Sequence, residues 1–163
     1  MLSERLELRL PVEADRARFV ELFCDRGFME FSAGVLDAAA ANERFDGMLD
    51  NARSLPFAKQ PIIERATSTI VGYTGVAWFE YEGEQRLEYG YRLVPEARGK
   101  GYATEAGLAL IELARATYRG EVLAMVDPRN TASQAVIRKL GFEHWKRTLV
   151  EGYVDDLFRQ RFP

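Results

Sequence analysis

The stretch LEYGYRLVPEARGKGYATEA, residues 87–106, joins three elements whose order decides the fold. Residues 87–94 predict a strand, and the proline after them ends it because proline cannot donate a hydrogen bond to a sheet. Gly99 and Gly101 then form a loop, and a helix pattern begins at about Ala103. Glycine at a helix start is costly unless the backbone bends sharply or a ligand approaches it closely. This loop is therefore the first candidate for a binding site.

A strand, a glycine loop and a helix N-terminus together are typical of an anion site. The first N–H groups of a helix lack partners within the helix, and the helix dipole adds partial positive charge there. Gly99 and Gly101 leave those amides accessible, and Arg98 and Lys100 add formal charge. A phosphate or pyrophosphate fits such a site, although a plain turn before a helix would use the same glycines. The P-loop pattern GxxxxGKS/T and the Rossmann pattern GxGxxG are both missing, which excludes those two phosphate sites.

Composition narrows the class of protein. With 163 residues and 47% hydrophobic composition, the chain has the size of one domain with its own core, and we predict a single domain over residues 1–163. The 22 basic and 25 acidic side chains leave a net charge of −3, which argues against nucleic acid as a partner. No apolar run approaches the ~18 residues of a membrane helix. No cluster of His, Cys and Asp has metal-ligand spacing, so we expect neither a membrane nor a metal as partner.

The single cysteine bears on the compartment. Cys24 has no partner for an internal disulfide, so a reducing, cytoplasmic environment fits the chain best. Because Cys24 lies in an apolar helix pattern, we expect it to be a small buried residue and not a nucleophile.

The pattern before residue 87 predicts strands and helices in a mixed order. An alternating edge strand is followed by two amphipathic helices, the second with Asp37 as its N-cap, and by two strands joined through a polar turn. Short turns make those two strands and the strand at 87–94 antiparallel neighbours. The elements are predicted at 6–10, 13–25, 36–49, 58–66 and 70–80.

The pattern after residue 101 adds two helices and three strands. Thr131 and Gln134 are spaced like a capping box, and Gly141 is placed like a C-terminal cap. A helix connects the strand at 87–94 with a buried apolar strand, which predicts that these two strands are parallel neighbours. The fold class is therefore mixed α/β, of the α+β type, with a twisted, mostly antiparallel sheet, one parallel strand pair and about four flanking helices. The helices are predicted at 103–117 and 131–140, and the strands at 122–126, 142–150 and 153–162.

Three segments resemble one enzyme family. Residues 98–103, RGKGYA, match the R/Q-x-x-G-x-G/A signature of the GNAT-type N-acetyltransferases. The longer string EYGYRLVPEARGKGYATEA is similar to the branch that contains the RimJ/RimL-type acetyltransferases of ribosomal-protein N-termini. SERLELRLPVEAD, residues 3–15, and NTASQAVIRKLGF, residues 130–142, match other segments of that branch in the same order. The resemblance covers nearly the whole chain and implies a GNAT-type fold.

The resemblance implies acetyl-CoA as cosubstrate and assigns its contacts. The backbone amides of the glycine loop would hold the pyrophosphate, and the strand at 87–94 would splay from the strand at 122–126. The pantetheine arm would fit between them like an added strand. Asn130 would contact the CoA arm, and its alternative role is that of a helix-entry residue. The implied contact residues are Leu93, Val94, Arg98, Gly99, Lys100, Gly101, Tyr102, Ala103, Thr104, Asn130 and Ser133.

Acetyl transfer to an amine needs few catalytic groups. The neutral amine attacks the thioester carbonyl, negative charge develops on the carbonyl oxygen, and the CoA thiolate leaves. Positioning alone can supply ~7–11 kcal/mol, and a general base or acid adds ~10²–10⁴-fold. The resemblance implies Glu88 as the candidate base, since the branch often carries an acid at this place, before G-Y, that acts directly or through water. Strand alternation puts Glu88 on one face with Gly90 and Arg92. Its alternative role is an ion pair with Arg92.

Other side chains are candidates for the remaining roles. A backbone amide near Leu93 or Val94 is the expected oxyanion donor. Ser133 is the candidate acid for the thiolate, or else an ordinary serine in the first turn of a helix. The reserve candidates are Glu80 as base and Tyr102 and Tyr153 as acids, and His144 is expected in a surface or strand role.

The acceptor is the least defined part of the prediction. The resemblance suggests a protein or peptide N-terminus, while small amines and a non-catalytic CoA-binding module remain alternatives. The family varies its acceptor pocket in segments that correspond here to residues 27–34, 78–80 and 150–156. We expect the C-terminal strand at 153–162 to be an edge that a second copy could pair with, so a monomer and a homodimer remain open. Candidate acceptor contacts are Glu30, Glu80, Asp155 and Asp156 for a cationic amine and Phe28, Phe31 and Trp78 beside it.

Overall fold

A seven-stranded sheet in the order β1-β2-β3-β4-β5-β7-β6 runs through the computed structural model, which describes residues 1–163. Four helices flank it, so the predicted mixed α/β class is confirmed. The strands are β1 (Leu6–Leu8), β2 (Gln60–Glu64), β3 (Thr69–Tyr81), β4 (Glu84–Leu93), β5 (Gly120–Val126), β6 (Glu143–Val150) and β7 (Tyr153–Phe162). The helices are α1 (Arg16–Phe23), α2 (Ala38–Ser54), α3 (Tyr102–Thr117) and α4 (Thr131–Lys139).

One strand pair of the sheet is parallel, as predicted, and it separates early. β4 and β5 are in register only at Leu87↔Val122 and Glu88↔Leu123. Beyond these pairs β4 remains bonded to β3 as far as Gly72↔Leu93, whereas β5 follows β7. The second half of β4 therefore faces an opening in the sheet and not another strand.

The core lies on both faces of the sheet. α3 and α4 pack with Leu87, Tyr89 and Val122 in the largest apolar cluster. α1 and α2 form a second cluster in which Phe19 and Phe45 pack on Tyr73 of β3. Burying aromatic side chains of this size contributes roughly 1.5–3 kcal/mol each, which fixes the positions of the helices that surround the opening.

The caps of the helices agree with the sequence prediction except at one helix start. The Asp37 side chain accepts a hydrogen bond from the Ala40 N–H, as predicted. Gly141 follows α4 with φ +91°, and its N–H bonds to the Arg138 carbonyl in a Schellman-type end. The predicted Thr131 capping box is wrong, because the N-cap of α4 is Asn130, whose side chain accepts from the Ser133 N–H.

Three further sequence expectations are corrected. β7 lies between β5 and β6, so the C-terminal strand is interior and β6 forms the edge. Cys24 is exposed after the last turn of α1, and not part of the core. β4 begins at Glu84, three residues earlier than predicted, because Glu82 and Gly83 with φ of 52° and 78° form a two-residue hairpin turn. None of the helices combines the length and the apolar character needed to cross a membrane.

Candidate active site

The separation of β4 and β5 opens a cleft of about 780 Å³. Its walls come from the second half of β4, the end of β5, the glycine loop and the first turns of α3 and α4. Phe28 and Phe31 close it from the segment between α1 and α2. Ligands in open α/β sheets bind outside the carboxyl ends of the strands, and this cleft occupies that position for β4 and β5.

The glycine loop presents free amides to the cleft. Gly99 and Gly101 have φ of 73° and 82°, a left-handed conformation that favours glycine. Gly101 is the N-cap of α3, and its carbonyl accepts the first helical bond, from the Glu105 N–H. The N–H groups at 102–104 therefore have no partner inside the helix, and all three residues line the cleft. The arrangement is that of an anion site.

Contacts from β1 and β2 hold this loop from outside. Arg5 donates to the Lys100 carbonyl at 2.8 Å and pairs with Glu105 at 2.6 Å. Lys100 itself does not line the cleft, so its side chain is not placed to hold a ligand there. The Tyr102 hydroxyl donates to Glu64 Oε1 at 2.7 Å, which disfavours its reserve role as a catalytic acid.

The side chain of Arg98 has a different role from the predicted one. Its guanidinium donates to Glu30 Oε2 at 2.7 Å, to the Gly27 carbonyl at 2.6 Å and to the Leu93 carbonyl at 3.2 Å. We expected the positive charge of Arg98 to face a phosphate, but its guanidinium is hydrogen-bonded to groups of the protein. These bonds also engage Glu30, which removes that carboxylate from the candidate acceptor contacts.

Two residues of β4 that face the cleft have backbone N–H groups that are not paired with β3. Val94 donates its N–H to the Val71 carbonyl and accepts from the Ala97 N–H, so its own N–H is not free to donate to a ligand. Antiparallel pairing alternates along a strand, so the backbone N–H groups of Tyr91 and Leu93 point to the opposite side, toward the cleft. Leu93 remains the predicted residue that fits the role of backbone donor.

The start of α4 brings Asn130 and Ser133 to the cleft. Asn130 Oδ1 accepts from the Ser133 N–H at 2.9 Å, so Asn130 is a helix cap, and its amide nitrogen stays free on the cleft wall. Ser133 lies beside Tyr91 across the opening between the strands. Burial raises the pKa of Tyr91, and the nearby Ser133 hydroxyl offsets part of that effect. Sequence reasoning missed Tyr91, whose position depends on which strand neighbours β4.

Glu88 lies in the cleft with a partner other than the expected one. Its Oε2 accepts from Lys59 Nζ at 3.1 Å, and both side chains are only 16% exposed. Arg92 instead donates to Ser32 Oγ at 2.8 Å and to Met29 Sδ at 2.9 Å. The alternative ion pair between Glu88 and Arg92 is therefore wrong. Gly90 lies between them without a side chain, and the Glu88 carboxylate occupies the space above it.

The remaining predicted candidates are spread over the surface. Glu80 is exposed and pairs with Gln85 at the far end of β3, and Trp78 is 46% exposed. Tyr153 is 56% exposed at the start of β7. None of these three side chains lines the cleft, so the structure does not bring them to the candidate site.

The two acidic residues at the start of β7 differ in their surroundings. Asp156 is buried and accepts two hydrogen bonds from Arg147, both at 2.8 Å, and lies 3.2 Å from His144. His144 thus serves the strand pairing, as expected. Asp155 is different, because burial and the charges of Asp127, Asp156 and Glu88 raise its pKa. Asp155 does not line the cleft, so the structure does not bring it to the candidate site.

Asp156→Asn is expected to lower the free energy of unfolding at pH 7 by on the order of 2 kcal/mol. The hydrogen bonds from Arg147 and His144 lower the pKa of Asp156 from 3.8 to about 2. A pKa lowered by folding gives stability that is complete above pH ~4 and is lost as the pH falls toward 2. Urea unfolding at pH 7 and pH 3 should show that the free energy of unfolding changes less with pH in the variant than in the wild type. Equal stabilities of both proteins at pH 7 would contradict the assignment.

A family model agrees with this geometry. Residues 5–143 match the model described as Acetyltransferase (GNAT) domain. The chain therefore belongs to the GNAT acetyltransferases, enzymes that transfer an acetyl group from acetyl-CoA. The uncharacterized protein YkkB of Bacillus subtilis is 26% identical to the chain over 151 residues, which cover 91% of this chain and 87% of that protein.

Solved structures share the fold. A GnaT-family acetyltransferase from Bordetella pertussis superposes with a TM-score of 0.84 at 19% identity and covers 98% of both chains. A phosphinothricin acetyltransferase from Sinorhizobium meliloti, solved with AcCoA, has a TM-score of 0.75 at 21% identity, over 97% of this chain and 89% of that chain. A ribosomal-protein-S5-alanine acetyltransferase from Vibrio fischeri has a TM-score of 0.79 at 18% identity, over 99% and 96%. At these identities the likeness shows the fold and not the acceptor.

Proposed function

We propose that this cleft transfers the acetyl group of acetyl-CoA to a primary amine. The observation that carries the proposal is the opening between β4 and β5 beyond Glu88 and Leu123. It places free loop amides, free strand amides and a half-buried carboxylate along one continuous cleft. A cosubstrate with a pyrophosphate at one end and a thioester at the other fits that order of groups.

The chain offers a binding group for each part of the cosubstrate. The amides at 99–104 would hold the pyrophosphate at the start of α3. The backbone of Tyr91 and Leu93 would bond the pantetheine arm as a neighbouring strand would, and the Asn130 amide nitrogen would reach the same arm. The glycine loop would contribute through its backbone, since the Arg98 side chain is bonded to Glu30 and Gly27.

The catalytic roles follow from what lines the middle of the cleft. Glu88 would take a proton from the acceptor ammonium, directly or through water, and Lys59 holds its carboxylate in place. The Leu93 N–H would donate to the carbonyl oxygen as negative charge develops there. Ser133 would return a proton to the departing thiolate. Bound acetyl-CoA supplies the activated acyl group, and the side chains orient the amine and move its proton.

The acceptor and the cellular setting are finer points of the proposal. A peptide N-terminus is suggested by the sequence resemblance to the RimJ/RimL branch, and a small amine is the alternative. The S5-alanine and phosphinothricin enzymes are similarly distant in sequence, at 18% and 21% identity, so neither likeness decides between them. A cytoplasmic location and a monomeric or dimeric state remain predictions.

Thiol release from acetyl-CoA tests the proposed function. The panel contains short peptides with different N-terminal residues, polyamines, aminoglycosides and amino acids. We expect turnover on one chemical class well above the hydrolysis seen without acceptor. Binding of acetyl-CoA with no turnover on any class would instead favour a non-catalytic CoA-binding module.

A further inference from the structure

One end of the cleft is rich in cationic side chains. Arg44 of α2, Lys59 before β2 and Arg92 of β4 line it together with Tyr73 and Glu88, and we call these five residues the Tyr73 end. The three cations come from three separate segments, and Glu88 is the one carboxylate among the five. This local excess of positive charge is notable in a chain whose net charge is −3.

Two of the three cations have no carboxylate partner. Arg92 donates to a hydroxyl and a thioether, on Ser32 and Met29. Arg44 makes no ion pair, and its guanidinium lies over the Phe23 ring at 5.1 Å from the centroid. A partly buried cation without a counter-ion is unfavourable, so a ligand with a negative charge would be stabilised here.

Tyr73 responds to these cations and adds a hydrogen-bond donor beside them. It is only 3% exposed, its ring packs between Phe23 and Phe28, and its hydroxyl has no hydrogen-bond partner in the chain. Burial raises the pKa of Tyr73, but Arg92, Lys59 and Arg44 outweigh burial and the charge of Glu88, so that its pKa is about 8. A cleft-lining hydroxyl that makes no hydrogen bond within the chain, and that is surrounded by positive charge, is suited to an anionic oxygen.

There is room at this end for a small group. Arg44, Lys59 and Tyr73 also line an adjoining cavity of about 260 Å³, next to Asn51 and Gly47. The volume is sufficient for a carboxylate with a short carbon chain. The adjoining cavity lies toward α2, away from the glycine loop, so its occupant would not compete with the pyrophosphate.

Charge changes sign across β4. Lys59 reaches Glu88 from the β3 side, whereas Asp127, which follows β5, lines the cleft on the β5 side. An acceptor ammonium is favoured next to the carboxylates, and an acidic group is favoured next to the cations. The two ends thus match an acceptor that carries both charges.

We propose that the Tyr73 end binds a carboxylate of the acceptor, so that the acceptor is a primary amine with an acidic group nearby. This inference rests on the proposed function and names its substrate class. Two kinds of molecule carry a primary amine with a carboxylate nearby: a free acidic amino acid and a peptide whose first residue is acidic. It goes beyond the open choice between a peptide N-terminus and a small amine, because it names a second group of the acceptor.

The test compares acidic acceptors with their neutral amides. Glutamate α-amide against glutamine α-amide, and C-terminally amidated Asp-peptides against the corresponding Asn-peptides, are measured by initial thiol release, which separates the two sources. We expect kcat/KM for the acidic member to be about 10- to 100-fold higher, as for hydrogen bonds to charged groups. Arg44→Gln and Arg92→Gln should each reduce that ratio by roughly 10-fold, whereas Arg161→Gln, an exposed change on β7, should not alter it. Equal rates on acidic and neutral acceptors would overturn the inference and leave the proposed function intact.

A binding measurement keeps the inference testable without turnover. Glutarate, with glutaramide as its neutral control, is added to the protein saturated with CoA, and thermal stability is followed. We expect glutarate, but not glutaramide, to raise Tm, because a ligand bound only to the folded state stabilises it. Arg92→Gln should abolish this shift in Tm. Glutarate binding without acetyl transfer would support the anion subsite and count against the transferase. The lack of any difference between glutarate and glutaramide would overturn the subsite.

Discussion

Gly101→Val is expected to raise the Kd of acetyl-CoA by at least ~100-fold, equal to about 2.7 kcal/mol, while the fold persists. Gly101 has φ +82° and is the N-cap of α3. A β-branched residue is strained in that conformation, so the loop must change its backbone to accept valine. The amides at 102–104 would then no longer point together into the cleft. Isothermal titration with acetyl-CoA measures the loss, and circular dichroism checks the fold.

Gly152→Val is the matched control for this experiment. Gly152 has φ +87° in the turn between β6 and β7, and an added Cβ there meets no other atom within 4 Å. It therefore carries the same backbone strain as Gly101→Val without touching the cleft. Unchanged affinity in Gly152→Val together with lost affinity in Gly101→Val would assign the effect to the loop. Normal acetyl-CoA binding by Gly101→Val would show that the glycine loop does not hold the pyrophosphate.

Local sequence signals account for the parts of the fold that were predicted. The glycine loop, the Asp37 cap and the Gly141 cap each depend on a few consecutive residues. The parallel pairing of β4 and β5 follows from the helix that connects them. Their early separation was expected only through the family resemblance, because nothing in the composition of either strand shows where two strands part.

The partners of the site residues could not be predicted because they are distant in sequence. Arg98 and Glu30 are 68 positions apart, and Lys59 and Glu88 are 29 apart. The interior position of β7 in the sheet could not be predicted either, because it depends on the order of the strands and not on the sequence pattern of β7. Tyr73 and Arg92 become neighbours only through the β3–β4 register. The sequence therefore offered only acidic and aromatic residues as candidate acceptor contacts, whereas the assembled cleft collects Arg44, Lys59 and Arg92 at one end.

Glu88→Gln is expected to lower kcat by ~10²–10⁴-fold and to leave the Kd of acetyl-CoA within about two-fold of wild type. Glutamine has the shape of glutamate and can still accept from Lys59, which reaches Glu88 Oε2 at 3.1 Å, but it cannot take a proton. Because free amine becomes abundant as the pH rises, the rate of the variant should recover at high pH more steeply than that of wild type. Glu84→Gln, an exposed change on the same strand, is the control and should behave as wild type.

The pH profile separates a base from a merely structural ion pair. If Glu88 only positions Lys59, then Lys59→Met and Glu88→Gln should lose the same activity on a neutral acceptor, and neither loss should shrink as the pH rises. If Glu88 takes the proton, Lys59→Met should keep most of its kcat, since the carboxylate remains in the cleft. Unchanged turnover of Glu88→Gln across pH 6 to 10 would remove Glu88 from the mechanism. Acetyl transfer would then rely on positioning by the glycine loop and β4, which can supply ~7–11 kcal/mol without any general base.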